Sequence, residues 1–156
     1  MGGTEGEAGC TGGCQCGAVR YRVRGPLGRP VICHCRMCQK HFGSLFSVLV
    51  AVKGHIEWTR GQLSYFRSSA TVRRGFCQNC GTPMAFHSED GIEIAVATFD
   101  EPSTFKPEIQ VFYAERIPWV ETIFNAPVRD LAKDDEASRA VISLQHPDHE
   151  MTDGRL

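Results

Sequence analysis

Cys33-His34-Cys35-Arg36-Met37-Cys38 packs three thiols into six residues, and two smaller clusters flank it: Cys14-Gln15-Cys16 upstream and Cys77-Gln78-Asn79-Cys80 downstream. Zinc takes four ligands in a tetrahedron and favours thiolate donors. Two pairs complete one such shell, whereas three thiols leave a position over. The division predicts a closed structural zinc on Cys14, Cys16, Cys77 and Cys80, and a second zinc on Cys33, Cys35 and Cys38. The closed shell would staple an early strand to the middle of the chain. From spacing alone, the second site fits two arrangements equally. It is either open to a water or substrate, or closed by His34, His41, Cys10, His55 or His87.

Composition agrees with metal rather than disulfides. The chain has 156 residues, enough for one domain with its own core. Eight cysteines would permit a disulfide framework, but their short spacings are those of chelation. The first residues carry neither a basic start nor an apolar run, so no signal peptide is read and a cytoplasmic location is expected. A formal net charge of -1 gives no drive toward nucleic acid. No apolar run approaches the ~20 residues that span a bilayer, so no membrane partner is expected.

Working outward, residues 1–11 read as a flexible glycine-rich lead-in containing Cys10. Residues 12–126 read as a zinc-binding β domain, and 127–156 as a helical or mobile extension. Residues 18–23 alternate apolar and polar as a half-buried strand does. Residues 45–52 form a near-continuous apolar run suited to a buried strand. Residues 56–59, 61–66, 91–97 and 109–113 are further short β-prone stretches, separated by Gly and Pro. Gln39 to Ser44 reads as a helical turn stopped by Gly43. Residues 128–144 have a loosely helical spacing. The fold class predicted is mainly β.

A three-thiolate zinc is electron-rich and a weak generator of hydroxide. It suits an exogenous thiolate, held ready to attack a small carbonyl carbon. Around it, Arg36, Lys40, Arg73 and Arg74 are candidate cations for an anionic thiol, with Arg74 the strongest. Gly43 offers close backbone approach, and Ser44 offers a hydroxyl. His34, between two ligands, reads as an exposed loop histidine pointing away from the metal. His146 and His149 read as tail residues, and Trp58 and Trp119 as core or rim aromatics.

These motifs bear a family likeness. Gly12-x-Cys14-x-Cys16-Gly17-Ala18-Val19-Arg20-Tyr21, then Cys33-His34-Cys35-x-x-Cys38-x-Lys40 with Gly43-Ser44, then Phe76-Cys77-x-x-Cys80-Gly81-Thr82 resemble the glutathione-dependent formaldehyde-activating enzymes, a family that includes the centromere protein V group. Thr98-Phe99-Asp100-Glu101-Pro102 and Ile117-Pro118-Trp119 extend the match, so that it spans roughly residues 12–125. The resemblance implies a zinc-stapled Mss4-like, or β-tent, fold with two zinc ions per chain. One would be structural, on Cys14, Cys16, Cys77 and Cys80; the other catalytic, on Cys33, Cys35 and Cys38. It implies a carbon–sulfur lyase that joins glutathione, or a similar small thiol, to formaldehyde or another small aldehyde, giving S-hydroxymethylglutathione. Lys40, Gly43, Ser44 and Arg74 would help bind that thiol. A different expectation, from the same fold, is a non-catalytic zinc-stapled protein-interaction module. Gln39 and Gln110 depart from the family pattern, at positions where a basic residue and a histidine are frequent, and both changes are expected to bear on the pocket.

Overall fold

The computed structural model describes residues 9–152. Ten strands make two sheets among these residues, so the mainly β, Mss4-like class holds. The smaller sheet has the order β1 (Cys10–Gly13), β2 (Arg20–Arg24), β5 (His55–Arg60). The larger contains β3 (Val31–Cys33), β4 (Ser47–Ala51), β6 (Ser64–Arg67), β7 (Arg73–Phe76), β8 (Pro83–Ser88), β9 (Gly91–Ala95) and β10 (Ile109–Val111). Its strand order is β10-β3-β4-β9-β8-β7-β6. Every pairing is antiparallel except that of β10 with β3. No helix of the described residues is long and apolar enough to cross a membrane.

Alternation explains the smaller sheet. Ile56 and Trp58 of β5 face inward, between exposed His55, Glu57 and Thr59. In β2 a bulge between Arg20 and Tyr21 lets two neighbouring side chains both point into the protein. Tyr21 is fully buried, edge-on to Trp58 and Phe99, and its hydroxyl meets that of Thr98 at 2.9 Å. Beside it, the Arg20 guanidinium donates two hydrogen bonds to the Asp100 carboxylate, at 2.8 and 2.6 Å. This buried fork ties the smaller sheet to the segment that leaves β9.

The strand over Cys10–Gly13 begins inside the stretch read as lead-in; Cys10 pairs with Val23, and its side chain is exposed. Residues 83–88, read only as an exit from the third cysteine cluster, form the interior strand β8, with Met84 and Ala85 fully buried. Residues 128–144 are not one helix. They hold two single turns, α2 (Leu131–Asp134) and α3 (Glu136–Arg139), while Val141, Ile142 and Leu144 stay exposed. Without a surface to cover, so short a helix does not propagate.

Burial pushes the Asp100 carboxyl up, but hydrogen bonds from Arg20 and Thr11 and the guanidinium charge outweigh it, leaving the carboxyl below its ordinary range. A folded value below the unfolded one stabilises fully above about pH 4 and is lost as the pH falls through the folded value. Asp100→Asn is therefore expected to cost about 3 kcal/mol at neutral pH, because Arg20 keeps only Glu150, at 3.3 Å, as a charged partner. Urea midpoints recorded from neutral pH down to about pH 2 should fall less steeply for this variant than for the native chain.

Candidate metal centres and the adjoining cavity

Seven of the eight cysteines gather into two groups, and all eight are free thiols, which removes the disulfide framework. The first group is built by two turns of the same design. Cys14 to Gly17 turns back so that the Cys14 N–H reaches the Val19 carbonyl at 2.9 Å; Cys77 to Thr82 does likewise, from the Cys77 N–H to the Thr82 carbonyl at 2.9 Å. Each turn ends on a left-handed glycine, Gly17 at φ 77° and Gly81 at φ 78°, a conformation that a side chain resists. The turns bring Cys14 to 3.6 Å from Cys16, and Cys16 to 3.9 Å from Cys77, sulfur to sulfur. A zinc–sulfur tetrahedron with bonds of about 2.3 Å has edges of about 3.8 Å, so these four sulfurs fit a metal ion.

The second group sits where β3 meets the helix α1 (Arg36–Phe42). Cys33 closes β3, and Cys35 caps the helix, its sulfur accepting the Cys38 N–H at 3.4 Å. Cys38 follows in the first turn. Gly43, left-handed at φ 56°, ends the helix. The three sulfurs lie within 4.8 Å of one another, and no histidine or carboxylate of the described residues joins them. Cys10, His34, His41, His55 and His87 are therefore all outside the group. Among the described residues the second group is a set of three protein donors.

Each group crowds sulfurs that repel when ionised. The hydrogen bond between Cys33 and Cys38, together with burial, pushes the Cys33 thiol up; the same bond, helped by Arg74, holds Cys38 down to about 5 against burial. In the first group burial pushes Cys14 up to about 12, whereas at Cys80 hydrogen bonds led by Thr82 outweigh burial and give about 6. One sulfur ionises at the expense of its neighbour. A cation among them removes that conflict, so both donor sets suit a metal ion.

Their surroundings differ. Whereas Cys14 and Cys80 border a polar cavity of about 430 Å³, the three sulfurs line one of about 480 Å³ walled largely by apolar side chains. Arg74 enters it from β7, 1% exposed, with one guanidinium nitrogen 3.5 Å from the Cys38 sulfur, Nε 3.0 Å from the Ser68 hydroxyl, and the Phe86 ring beneath at 5.4 Å. Glu93, from β9, also lines the cavity. Burial and the charge on Cys38 push its carboxyl above the ordinary range, against Lys53. Arg36 and Glu115 stand at the exposed mouth, where the Glu115 carboxylate accepts the Arg36 backbone N–H at 3.0 Å. Lys40, Gly43 and Ser44 are exposed at the far end of α1 and are not among the residues lining the cavity. Glu93, Glu115 and Phe112 went unread as site residues because each is far from the cysteines in sequence, Glu93 arriving on β9 and the other two on the turn that follows β10.

His34 corrects the sequence reading. It is 2% exposed, packed edge-on to Phe46 and Tyr113, with Nε2 2.8 Å from the Gln110 side-chain oxygen. Gln39 is buried as well. Its amide donates to the backbone carbonyls of His34 at 2.7 Å and Glu115 at 3.2 Å, and its oxygen accepts from Arg36 at 3.0 Å. Gln39 and Gln110 thus brace the loops behind the cavity instead of lining it. His146 also departs from a tail reading. It is buried against Gly17, and its N–H donates to the Gln15 carbonyl at 2.8 Å, covering the first cysteine turn.

Residues 9–115 match the family model described as glutathione-dependent formaldehyde-activating enzyme. A protein of Talaromyces marneffei, named provisionally for the same activity, is 33% identical over 91 residues, a match covering 52% of this chain and 48% of that protein. The chain thus spans about half the length of that curated relative. A crystal structure of a Rhodobacter sphaeroides protein is similar in fold, with a TM-score of 0.51 at 21% identity, over 65% of this chain and 99% of that one.

Gln39→Leu should leave the His34 and Glu115 carbonyls without donors and cost about 1–3 kcal/mol, read as a lower thermal midpoint. An unchanged midpoint would remove Gln39 from its bracing role.

Proposed function

The chain belongs to the glutathione-dependent formaldehyde-activating enzyme family, and from that we propose that it is a zinc-dependent carbon–sulfur lyase of thiol–aldehyde adducts. Glutathione and formaldehyde, giving S-hydroxymethylglutathione, are the reactants the family name supplies. One observation carries the reading: a set of three sulfurs, one short of a tetrahedral shell, forms part of an apolar cavity wall, while a set of four supplies a whole shell by itself.

Cys14, Cys16, Cys77 and Cys80 would hold a structural zinc, and Cys33, Cys35 and Cys38 a catalytic one. Held by those three cysteines, zinc would supply the cationic charge that favours the thiolate form of an incoming thiol at neutral pH. The reaction itself is an addition. The sulfur electron pair forms the S–C bond, the C=O π pair moves to oxygen, and the proton lost by the thiol ends on that oxygen. Nothing is oxidised or reduced.

Residues of the cavity match those needs. Arg74 holds Cys38 in place and offsets thiolate charge within the wall. Glu93 presents a carboxyl to the space in which the aldehyde oxygen acquires its proton, and acts as the general acid. Burial keeps that carboxyl protonated to a higher pH than an exposed glutamate. Run backwards, the same carboxylate takes the proton and the adduct splits.

Two measurements test this. Elemental analysis should find two zinc ions in the native chain and one in Cys35→Ser, which should stay folded yet lose at least about a hundredfold in adduct formation from glutathione and formaldehyde. Cys80→Ser should instead lose several kcal/mol of stability, since structural zinc binding is folding free energy. Equal loss of fold in both variants would defeat the division of roles. For the acid, Glu93→Gln should lower the rate about a hundredfold with zinc content unchanged; a rate within about twofold of the native would exclude Glu93 from proton transfer.

A further inference from the structure

We infer that the aldehyde this cavity selects carries an apolar substituent, so that the preferred reaction is addition of a thiol to R–CHO with R an aryl or alkyl group. The inference rests on the thiol–aldehyde reading above and concerns which aldehyde is taken.

The walls decide it. Beyond the three sulfurs, the cavity is lined by Val31, Leu49, Val72, Phe86, Val111 and Phe112, contributed by β3, β4, β7's approach, β8, β10 and the residue after β10. Formaldehyde brings one carbon and one oxygen, which leave most of about 480 Å³ unfilled. Nor does the body of glutathione suit the interior. It carries two carboxylates, and the cations among the lining residues are Arg36 and Arg74. Arg74 is already engaged by Ser68, Cys38 and the Phe86 face, and Arg36 stands at the mouth, bonded to Gln39. Glu93 adds a carboxyl to the interior wall, and Glu115 another at the mouth. Burying a further carboxylate without a free partner there is unfavourable. With its sulfur at Cys33, Cys35 and Cys38, a peptide thiol must keep its charged ends at the mouth, beside Arg36. The apolar interior is then left to the other reactant.

The bonds made and broken are those of the parent addition. The sulfur closes on the carbonyl carbon of R–CHO, the π pair goes to oxygen, and the thiol proton ends there. R takes no part except by burial, where each methylene removed from water contributes favourably.

Two readouts on the zinc-loaded chain test the inference. In calorimetric titration, benzyl alcohol should bind at least about tenfold more tightly than methanol, from the burial of its ring. In kinetics, acceleration over the uncatalysed addition of glutathione should be at least about tenfold greater for phenylacetaldehyde than for formaldehyde. Val72→Asp, or Val72→Thr should the first variant fail to fold, should reduce both preferences. If formaldehyde is accelerated more and benzyl alcohol does not bind, the apolar aldehyde is overturned while the family reaction stands. If benzyl alcohol binds in a Val72-dependent way and no aldehyde is accelerated, the cavity's apolar preference stands and the reaction assigned above falls. If benzyl mercaptan with formaldehyde outpaces glutathione with phenylacetaldehyde, the apolar group belongs to the thiol, and the inference is overturned in that form.

Discussion

Thiolates packed within a few ångströms of one another cannot all be charged unless a cation sits among them, and this repulsion governs the whole design. Seven cysteines are spent on it, four in one set and three in the other. The first set joins the turn before β2 to the turn before β8, and so couples the smaller sheet to the larger at one point. The Arg20–Asp100 fork ties β2 at a second point to the segment that follows β9. Between the two lies Tyr21, whose ring fills the space that both connections enclose. Sulfur and ion pair thus fasten the two sheets at points where packing alone does not fix their register.

The two sets differ in their supports as much as in their number. Cys14, Cys16, Cys77 and Cys80 lie on reverse turns that fold back on themselves, with His146 laid over one of them. Cys33, Cys35 and Cys38 lie on a strand end and a helix start, two rigid elements meeting at an angle. Such a junction leaves space beyond it, and β4, β8 and β9 supply the walls of that space. A closed shell and an open wall thus follow from where the thiols sit along the chain.

That much was legible before any coordinates. Short cysteine spacings survive folding unchanged, so the grouping of seven sulfurs, the helix stop at Gly43 and the strand at 45–52 could be read locally. Position across the sheet could not. Lys40 and Ser44 are close to Cys38 in sequence, yet the helix carries them to its exposed end. Arg74 is remote from Cys38 and touches it, because β7 lies two strands from β9 and three from β4. Glu93 is placed opposite the cysteines by the pairing of β9 with β4, where Glu93 stands against Ala51. His34 looked exposed because a loop between two ligands usually is; Phe46 from one segment and Gln110 and Tyr113 from another bury it. Spacing records ligands well and records neighbours poorly.

The mouth of the cavity shows how the ligand helix is tied to its rim. Among the described residues, Phe112 is the one non-glycine with a left-handed backbone, at φ 52°. A bulky residue holds that conformation at a cost, and only where its surroundings fix it. Here they do. Just before it, β10 runs parallel to β3, and the Val111 carbonyl accepts the His34 N–H at 3.1 Å. Just after it, the chain winds into a 3-10 turn, in which the Phe112 carbonyl accepts the Glu115 N–H at 3.0 Å. Glu115 then reaches back to the Arg36 backbone at the start of α1, and its own carbonyl is held by Gln39. Reversing the chain at Phe112 is what lets one segment bond both to the strand that ends in Cys33 and to the helix that carries Cys38. An extended residue there would carry the chain onward past α1, and the helix start would lose the carboxylate that fixes it. The strain at one rim residue thus stands against four hydrogen bonds, and together these keep the three sulfurs and the apolar wall facing the same space.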